Sequence, residues 1–218
     1  MTLFEKIRCL LTFGQGVTLP LPEIVNESAP FPLFEQWFND ANKAGILLPE
    51  SMSVSTCDAS GQPSSRMVLL KSFDESGFVF YTNYGSRKSQ NLLDNNKVAL
   101  LFHWGVLQRQ VRIEGVVEKM SAEDSAAYFH SRDRGSQIGA WASKQSTQLE
   151  HPDELKERFA HFKTKFAHKD QIPYPEFWGG WRVKPNTIEF WQGRASRLHD
   201  RVYFNRQGSD WEHQKLHP

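Results

Sequence analysis

An excess charge of either sign is missing from this chain: 26 Lys and Arg stand against 25 Asp and Glu, a formal net charge of +1 over 218 residues. No overall field therefore draws it to nucleic acid or to an anionic membrane, and any anion recognition must come from local clusters. Cysteine is also scarce. Cys9 and Cys57 form neither a disulfide framework nor a metal-ligand spacing, which points to a reducing, cytoplasmic setting. Long hydrophobic runs are absent too. Leu3, Phe4, Ile7, Leu10 and Leu11 fall at helical spacing, but Glu5, Lys6 and Arg8 interrupt them. A secretory leader needs an unbroken apolar stretch and a membrane helix needs about 18 such residues. The segment reads instead as a short amphipathic helix docking on its own protein. There is no H-E-x-x-H and no P-loop, and Gly14-Gln15-Gly16 lacks the third glycine and the preceding strand of a dinucleotide fingerprint. With the eight histidines scattered, zinc hydrolase and P-loop chemistry fall away, and no metal is expected.

What is present suits one sizeable core: 39% of the residues are hydrophobic, in a length usual for a single domain. Residues 1–30, ending in a proline-containing loop, read as a variable N-terminal segment and residues 31–218 as one domain. Leu33, Phe34, Trp37, Phe38 and Ala41 share one helical face, closed by Gly45 as a C-cap. From Ser51 the pattern becomes strands: Ser51 to Cys57, a turn at Asp58 to Gln62, Arg66 to Phe73, a second turn into Phe78 to Thr82, then Lys97 to Trp104 and Gln108 to Lys119. Ser121-Ala122-Glu123-Asp124 resembles a capping box opening a helix through Tyr128 and Phe129. Leu155, Phe159, Phe162 and Phe166 mark another helix whose aromatic stripe reads as core. Gly179 and Gly180 lead into strands at Trp181 to Lys184 and Thr187 to Trp191, and Arg201 to Asn205 and Trp211 to Leu216 finish the sheet. The predicted fold is mainly β with peripheral helices, antiparallel, closed as a barrel or sandwich.

Four basic clusters carry the chemistry. In Arg66-Met67-Val68-Leu69-Leu70-Lys71 both ends of an apolar strand are charged, which is costly unless an anion is met; in a regular strand the two cations face opposite ways. Tyr81-Thr82-Asn83-Tyr84-Gly85-Ser86-Arg87-Lys88 turns from strand to helix with Ser86 as N-cap, leaving free N–H groups beside two cations, a sound phosphate site. Ser131-Arg132-Asp133-Arg134-Gly135-Ser136 offers two guanidiniums and hydroxyls, although alone it would read as a solvated loop. The densest is Trp191-Gln192-Gly193-Arg194-Ala195-Ser196-Arg197-Leu198-His199-Asp200-Arg201. Arginine's planar cation can pair with phosphate or lie over a ring, and tryptophan adds a stacking surface.

From about Phe34 to Pro218 these segments, with R-Q-V, S-K-Q-S and F-W-G-G, resemble in order and wording the motifs of the pyridoxine/pyridoxamine 5'-phosphate oxidases. The resemblance implies an FMN-binding split β-barrel, a Greek-key-like antiparallel barrel working as a homodimer with FMN at the subunit interface. It implies oxidation of pyridoxamine or pyridoxine 5'-phosphate to pyridoxal 5'-phosphate by hydride transfer to the flavin N5. O2 would be the acceptor, giving H2O2, with ammonia released from the amine. Arg66, Arg87, Lys88, Gln145 and Ser146 would hold the FMN phosphate and ribityl chain, the last two reaching across the dimer. Met67, Val68, Leu69 and Leu70 through to Lys71, with Tyr81 and Thr82, would line the flavin, and Gln110, Trp191 and Arg201 would touch its ring system. Lys71, Tyr128, Arg132 and Ser136 would bind the substrate phosphate. Arg197 and His199, flanking Leu198, would orient the pyridine ring as the catalytic pair.

The chain departs from the family in one respect: residues 1–30 lack the basic R-x-x-Y arm that many members carry, which puts closure over the substrate in question. Two rival readings stand beside the first. One is a related flavin oxidase of phenazine biosynthesis, against which Lys71 and the Arg132–Ser136 set speak, since a phenazine precursor carries no phosphate. The other is a non-catalytic flavin-, haem- or pyridoxal-phosphate-binding split barrel, against which the presence of both Arg197 and His199 speaks.

Overall fold

A computed structural model describes residues 30–218; the amphipathic segment around Leu3 to Leu11 lies outside the described residues. The chain enters through α1, Phe31–Lys43, with Pro32 in its first turn and Gly45, at φ 73°, just past its end, the arrangement each residue's backbone favours. Phe34, Trp37 and Ala41 of this helix are fully buried in the sheet's core.

Nine strands follow in chain order: β1 Ser51–Cys57, β2 Pro63–Leu69, β3 Ser72–Asp74, β4 Gly77–Asn83, β5 Lys97–Trp104, β6 Arg109–Lys119, β7 Trp178–Gln192, β8 Asp200–Gln207 and β9 Asp210–Lys215. They form one sheet in the order β2-β1-β5-β6-β7-β4-β3, with the β8–β9 hairpin added on β7. Every pairing is antiparallel. Alternation sets the inner face: Met52 and Val54 of β1 and Leu100, Phe102 and Trp104 of β5 are buried, as a period of two requires. The 15-residue β7 organises the molecule. One flank pairs with β6; on the other, its first half pairs with β4 and its second half with β8.

Four further helices lie outside the sheet: α2 Arg87–Asp94, α3 Ala122–Ser131, α4 Arg134–Ala142 and α5 Glu154–Lys165. Ser121 caps α3 by accepting from the Asp124 N–H at 2.9 Å, as the capping box predicts. A second apolar cluster of Phe129, Ile138, Phe166, Ile172 and Trp178 fills the space beneath these helices.

Four readings of the sequence need correction. The apolar run from Arg66 to Phe73 is not one strand: at Leu70 and Lys71 the chain crosses over, the Leu70 N–H bonding Glu50 beside β1 and the Lys71 N–H bonding Val79 on β4. The break expected between Lys184 and Thr187 is absent, because Pro185 sits opposite Gly115 at a β-bulge in the β6–β7 pairing, one of the few places a strand tolerates proline. The Arg134–Ala142 stretch is a helix capped by Asp133, whose side chain accepts from the Ser136 N–H. Of the stripe read on α5, Phe162 and the C-cap residue Phe166 join the second cluster, while Leu155 and Phe159 are exposed.

Candidate active site

A cavity of about 850 Å³ opens between β2, β4, the start of α2 and the α3–α4 corner, within the range typical of small-molecule sites. Its wall includes Arg66, Met67, Val68, Leu69, Lys71, Tyr81, Thr82, Arg87, Lys88, Tyr128, Arg132, Ser136, Gln145 and Ser146. Segments far apart in sequence thus meet as expected. The crossover at Leu70–Lys71 explains how Arg66 and Lys71 come to share a cavity instead of facing opposite sides. Leu70 departs from expectation: its side chain is in the core at 5% exposure, since it turns inward as the chain leaves β2.

Five cations line this cavity, and the single acid beside them, Asp133, is engaged in capping α4. Arg66 is held by neutral acceptors, its guanidinium bonding Val54 O at 3.2 Å and Thr56 Oγ1 at 2.8 Å. Lys88 is 7% exposed, and its Nζ meets Thr82 Oγ1 at 2.8 Å, Ser86 Oγ at 3.1 Å and Gln145 Oε1 at 3.1 Å. Ser86 stands at the N-cap position of α2 but makes no side-chain cap; its hydroxyl serves Lys88 instead. Burial, and then the nearby Arg66 charge, push Lys88 down to about 8. Arg66 is likewise lowered, by burial first and Arg87 second. Desolvated cations crowded without a carboxylate are unfavourable unless an anion joins them.

The opposite wall shows the same deficit. Arg132 stacks on Trp178 at 4.8 Å, and its NH1 is buried without a hydrogen-bond partner among the described residues. Tyr81 and Tyr128 stack at 3.9 Å, nearly parallel to Trp178, giving a layered aromatic floor under the guanidinium. Trp178 lines the cavity although the sequence marked it only as part of F-W-G-G. The glycines of that motif have a local reason: a Cβ at Gly179 would collide with the Tyr84 ring and one at Gly180 with Tyr81 and Met120.

Gln145 and Ser146 are the pair expected to reach across the dimer. They line the cavity of their own chain, Gln145 accepting from Thr82 and Lys88, because α4 carries the S-K-Q-S segment back over β4.

Gln110, Trp191, Arg197, Leu198, His199 and Arg201 are not in that lining. They form a second group at the far end of β7. Gln110, Trp191 and Arg201 are in-register neighbours on β6, β7 and β8, so one row presents all three side chains on one face. Arg201 Nε bonds Glu189 Oε1 at 2.8 Å, and its NH1 donates to His217 O at 2.9 Å; the pairing with Glu189 raises its pKa. His199 lies against Trp191 at 4.6 Å. Ser196 and Arg197 hold left-handed backbone, φ 57° and 61°, at a cost of about 1–2 kcal/mol each. In the strand order Trp191 on β7 and Leu69 on β2 are separated by β1, β5 and β6, a path of roughly 19 Å along the curved sheet at about 4.8 Å per strand.

The residues present fit flavin mononucleotide. The unpaired cations and the Arg132 NH1 call for phosphate, Met67, Val68 and Leu69 offer an apolar edge, and the Gln110–Trp191–Arg201 row offers a flat polar face. Among the described residues no group of His, Cys, Asp and Glu could hold a metal, and no helix is long and apolar enough to cross a membrane.

Comparison with known proteins gives a consistent picture. A family model described as pyridoxamine 5'-phosphate oxidase matches residues 38–166, and one described as the pyridoxine 5'-phosphate oxidase C-terminal dimerisation region matches residues 178–218. A pyridoxine/pyridoxamine 5'-phosphate oxidase from Colwellia psychrerythraea is 68% identical over the full length of both chains. Its namesake from Psychromonas ingrahamii is 54% identical, also over the full length of both. Among solved structures, PhzG from Burkholderia lata in complex with tetrahydrophenazine-1-carboxylic acid superposes with a TM-score of 0.87 at 27% identity, covering 93% of this chain and all of the other. A pyridoxamine 5'-phosphate oxidase-related, FMN-binding protein from Nostoc punctiforme gives 0.68 at 13% identity, over 87% of this chain and 98% of its own, and bears on the fold alone.

Proposed function

The chain belongs to the pyridoxine/pyridoxamine 5'-phosphate oxidase family, and on that premise we propose that it oxidises pyridoxamine and pyridoxine 5'-phosphates to pyridoxal 5'-phosphate as an FMN-dependent homodimer. The observation that carries the reading is the cavity with five cations and no free carboxylate, built in two groups. Arg66, Arg87 and Lys88 form the cradle for the coenzyme phosphate. Lys71, Arg132 and Ser136 form the cradle for the substrate phosphate, with Tyr128 beside them. Each charge-assisted hydrogen bond contributes about 1.5–3 kcal/mol, so either cradle can anchor a small phosphoester. FMN, when bound, supplies a two-electron acceptor that oxygen can restore.

The chain's own residues orient and enclose. Remote phosphate binding at Lys71 and Arg132 fixes the substrate ring, which is catalysis largely by positioning. Arg197 and His199 hold that ring from above, and Gln110, Trp191 and Arg201 support the coenzyme ring. In our reading this second group comes from the partner copy. The absence of these residues from the cavity's lining and the match of residues 178–218 to a dimerisation region support it. Residues 31–218 then act as one oxidase domain, in the cytoplasm.

The alternative is a flavin oxidase acting on a phenazine precursor, favoured by the likeness to PhzG. Arg132, buried with an unpartnered NH1, weighs against a substrate without phosphate. Anaerobic titration of the yellow protein with pyridoxamine 5'-phosphate should bleach the flavin, and admitting air should restore it with peroxide formed. Bleaching by phenazine precursors and not by the B6 phosphates would reverse the assignment.

A further inference from the structure

The β7–β8 connection contains a side-chain clamp whose two residues are not in the cavity's lining. Asp200 Oδ2 accepts from Arg194 Nε at 2.6 Å, tying the first turn of the connection to the first residue of β8. Beneath it, the Gly193 N–H bonds Gln108 O at 2.7 Å and fixes the end of β7. The backbone N–H of Arg194 donates to Nδ1 of His199 at 3.1 Å. A ring nitrogen that accepts carries no proton, so the neutral imidazole bears its hydrogen on Nε2. One face of that ring is set by Trp191. Between clamp and histidine lie Ser196 and Arg197 in left-handed backbone, a conformation that persists only where neighbours enforce it.

We propose that Asp200, acting through Arg194, is a positioning residue: it holds the Arg194 N–H on His199 and thereby fixes the histidine's tautomer and the turn that presents Arg197. This rests on Arg197 and His199 facing the substrate ring, as proposed above. The ion pair is partly open to solvent, with side-chain exposures of 17% and 43%, and such pairs add little stability. Its role is therefore geometric, and removing it leaves the fold standing.

The test is nitrogen-15 NMR of histidine-labelled, flavin-loaded protein, with His199 assigned by its loss in His199→Gln. In the unaltered protein His199 should show an unprotonated Nδ1 and a protonated Nε2. Asp200→Asn should give a mixture of tautomers and lower kcat about tenfold or more, with KM, flavin content and Tm little changed, and Asp200→Glu should restore both signals. Arg194→Gln, which keeps the backbone N–H, should behave as Asp200→Asn and serves in its place if that variant fails to fold. A single unchanged tautomer and unchanged kcat in either folded variant would overturn the proposal. The NMR result stands whichever substrate the enzyme takes, so failure of the functional reading, seen as an absence of turnover in the unaltered protein, remains distinct.

Discussion

The two ends of β7 handle positive charge in opposite ways. At the Trp178 end, Arg66, Lys88 and Arg132 are desolvated, and their hydrogen bonds go to hydroxyls, amides and carbonyls or, at Arg132 NH1, to nothing among the described residues. At the Trp191 end, Arg201 and Arg112 share Glu189, and Arg194 pairs with Asp200. A cation already neutralised by a carboxylate serves as scaffold, whereas one left to neutral partners awaits an anion. Arg197 is the exception at the second end, making no hydrogen bond or ion pair among the described residues. It is the member of that group best placed to act on a ligand.

Substitutions should separate the two ends cleanly. The largest effect is expected from Arg197→Ala, which should keep the flavin and lower kcat by about a hundredfold or more; retained turnover with lost flavin would erase the distinction. Lys88→Met should do the reverse, weakening FMN binding by roughly ten- to a hundredfold, read by flavin fluorescence during titration of the flavin-free protein. Arg132→Leu should raise KM for pyridoxamine 5'-phosphate about tenfold with flavin affinity unchanged, and Trp178→Leu somewhat less, because it removes only the stacking platform. If Trp178→Leu left KM untouched, the layered floor would be packing alone.

The smallest effect concerns pH. Lys88, pushed down to about 8, is charged below that value and loses its proton above it. Affinity for the FMN phosphate should therefore fall as pH rises past about 8, by at most about tenfold per unit. The flavin-free protein should move the other way, gaining stability from about 8 toward the ordinary lysine value, because over that window the unfolded chain binds the extra proton. Lys88→Met should remove both trends.

Much of this was legible in the sequence, and the rest was hidden for definite reasons. Strict alternation gave β1 and β5 with the bounds the structure shows, Ser51–Cys57 and Lys97–Trp104. Alternation says nothing about which strand lies alongside, so the crossover at Leu70–Lys71 was invisible, and with it the reason Arg66 and Lys71 share a cavity. Gly135 and Gly139 dilute the helical signal of α4, which Asp133 nevertheless caps. Motif spacing marked the cationic residues, because charge at a strand end or a helix start is unusual without a purpose. Trp178 escaped because an aromatic next to two glycines reads as core; the stacked Arg132 that gives it a role is 46 positions away and reaches it only through the fold.

Whether the two ends of β7 meet across two copies of the chain is open to direct trial by mixing. One chain carries Lys88→Met with Arg66→Leu, the other Arg197→Ala with His199→Ala, and the two are co-expressed and purified as the heterodimer with FMN supplied. Each homodimer should be inactive. If each site joins the cavity of one copy to the arm of its partner, the heterodimer contains one intact site and should recover roughly half of the unaltered activity. A heterodimer as inactive as its parents would place both ends in one chain's site and contradict the account.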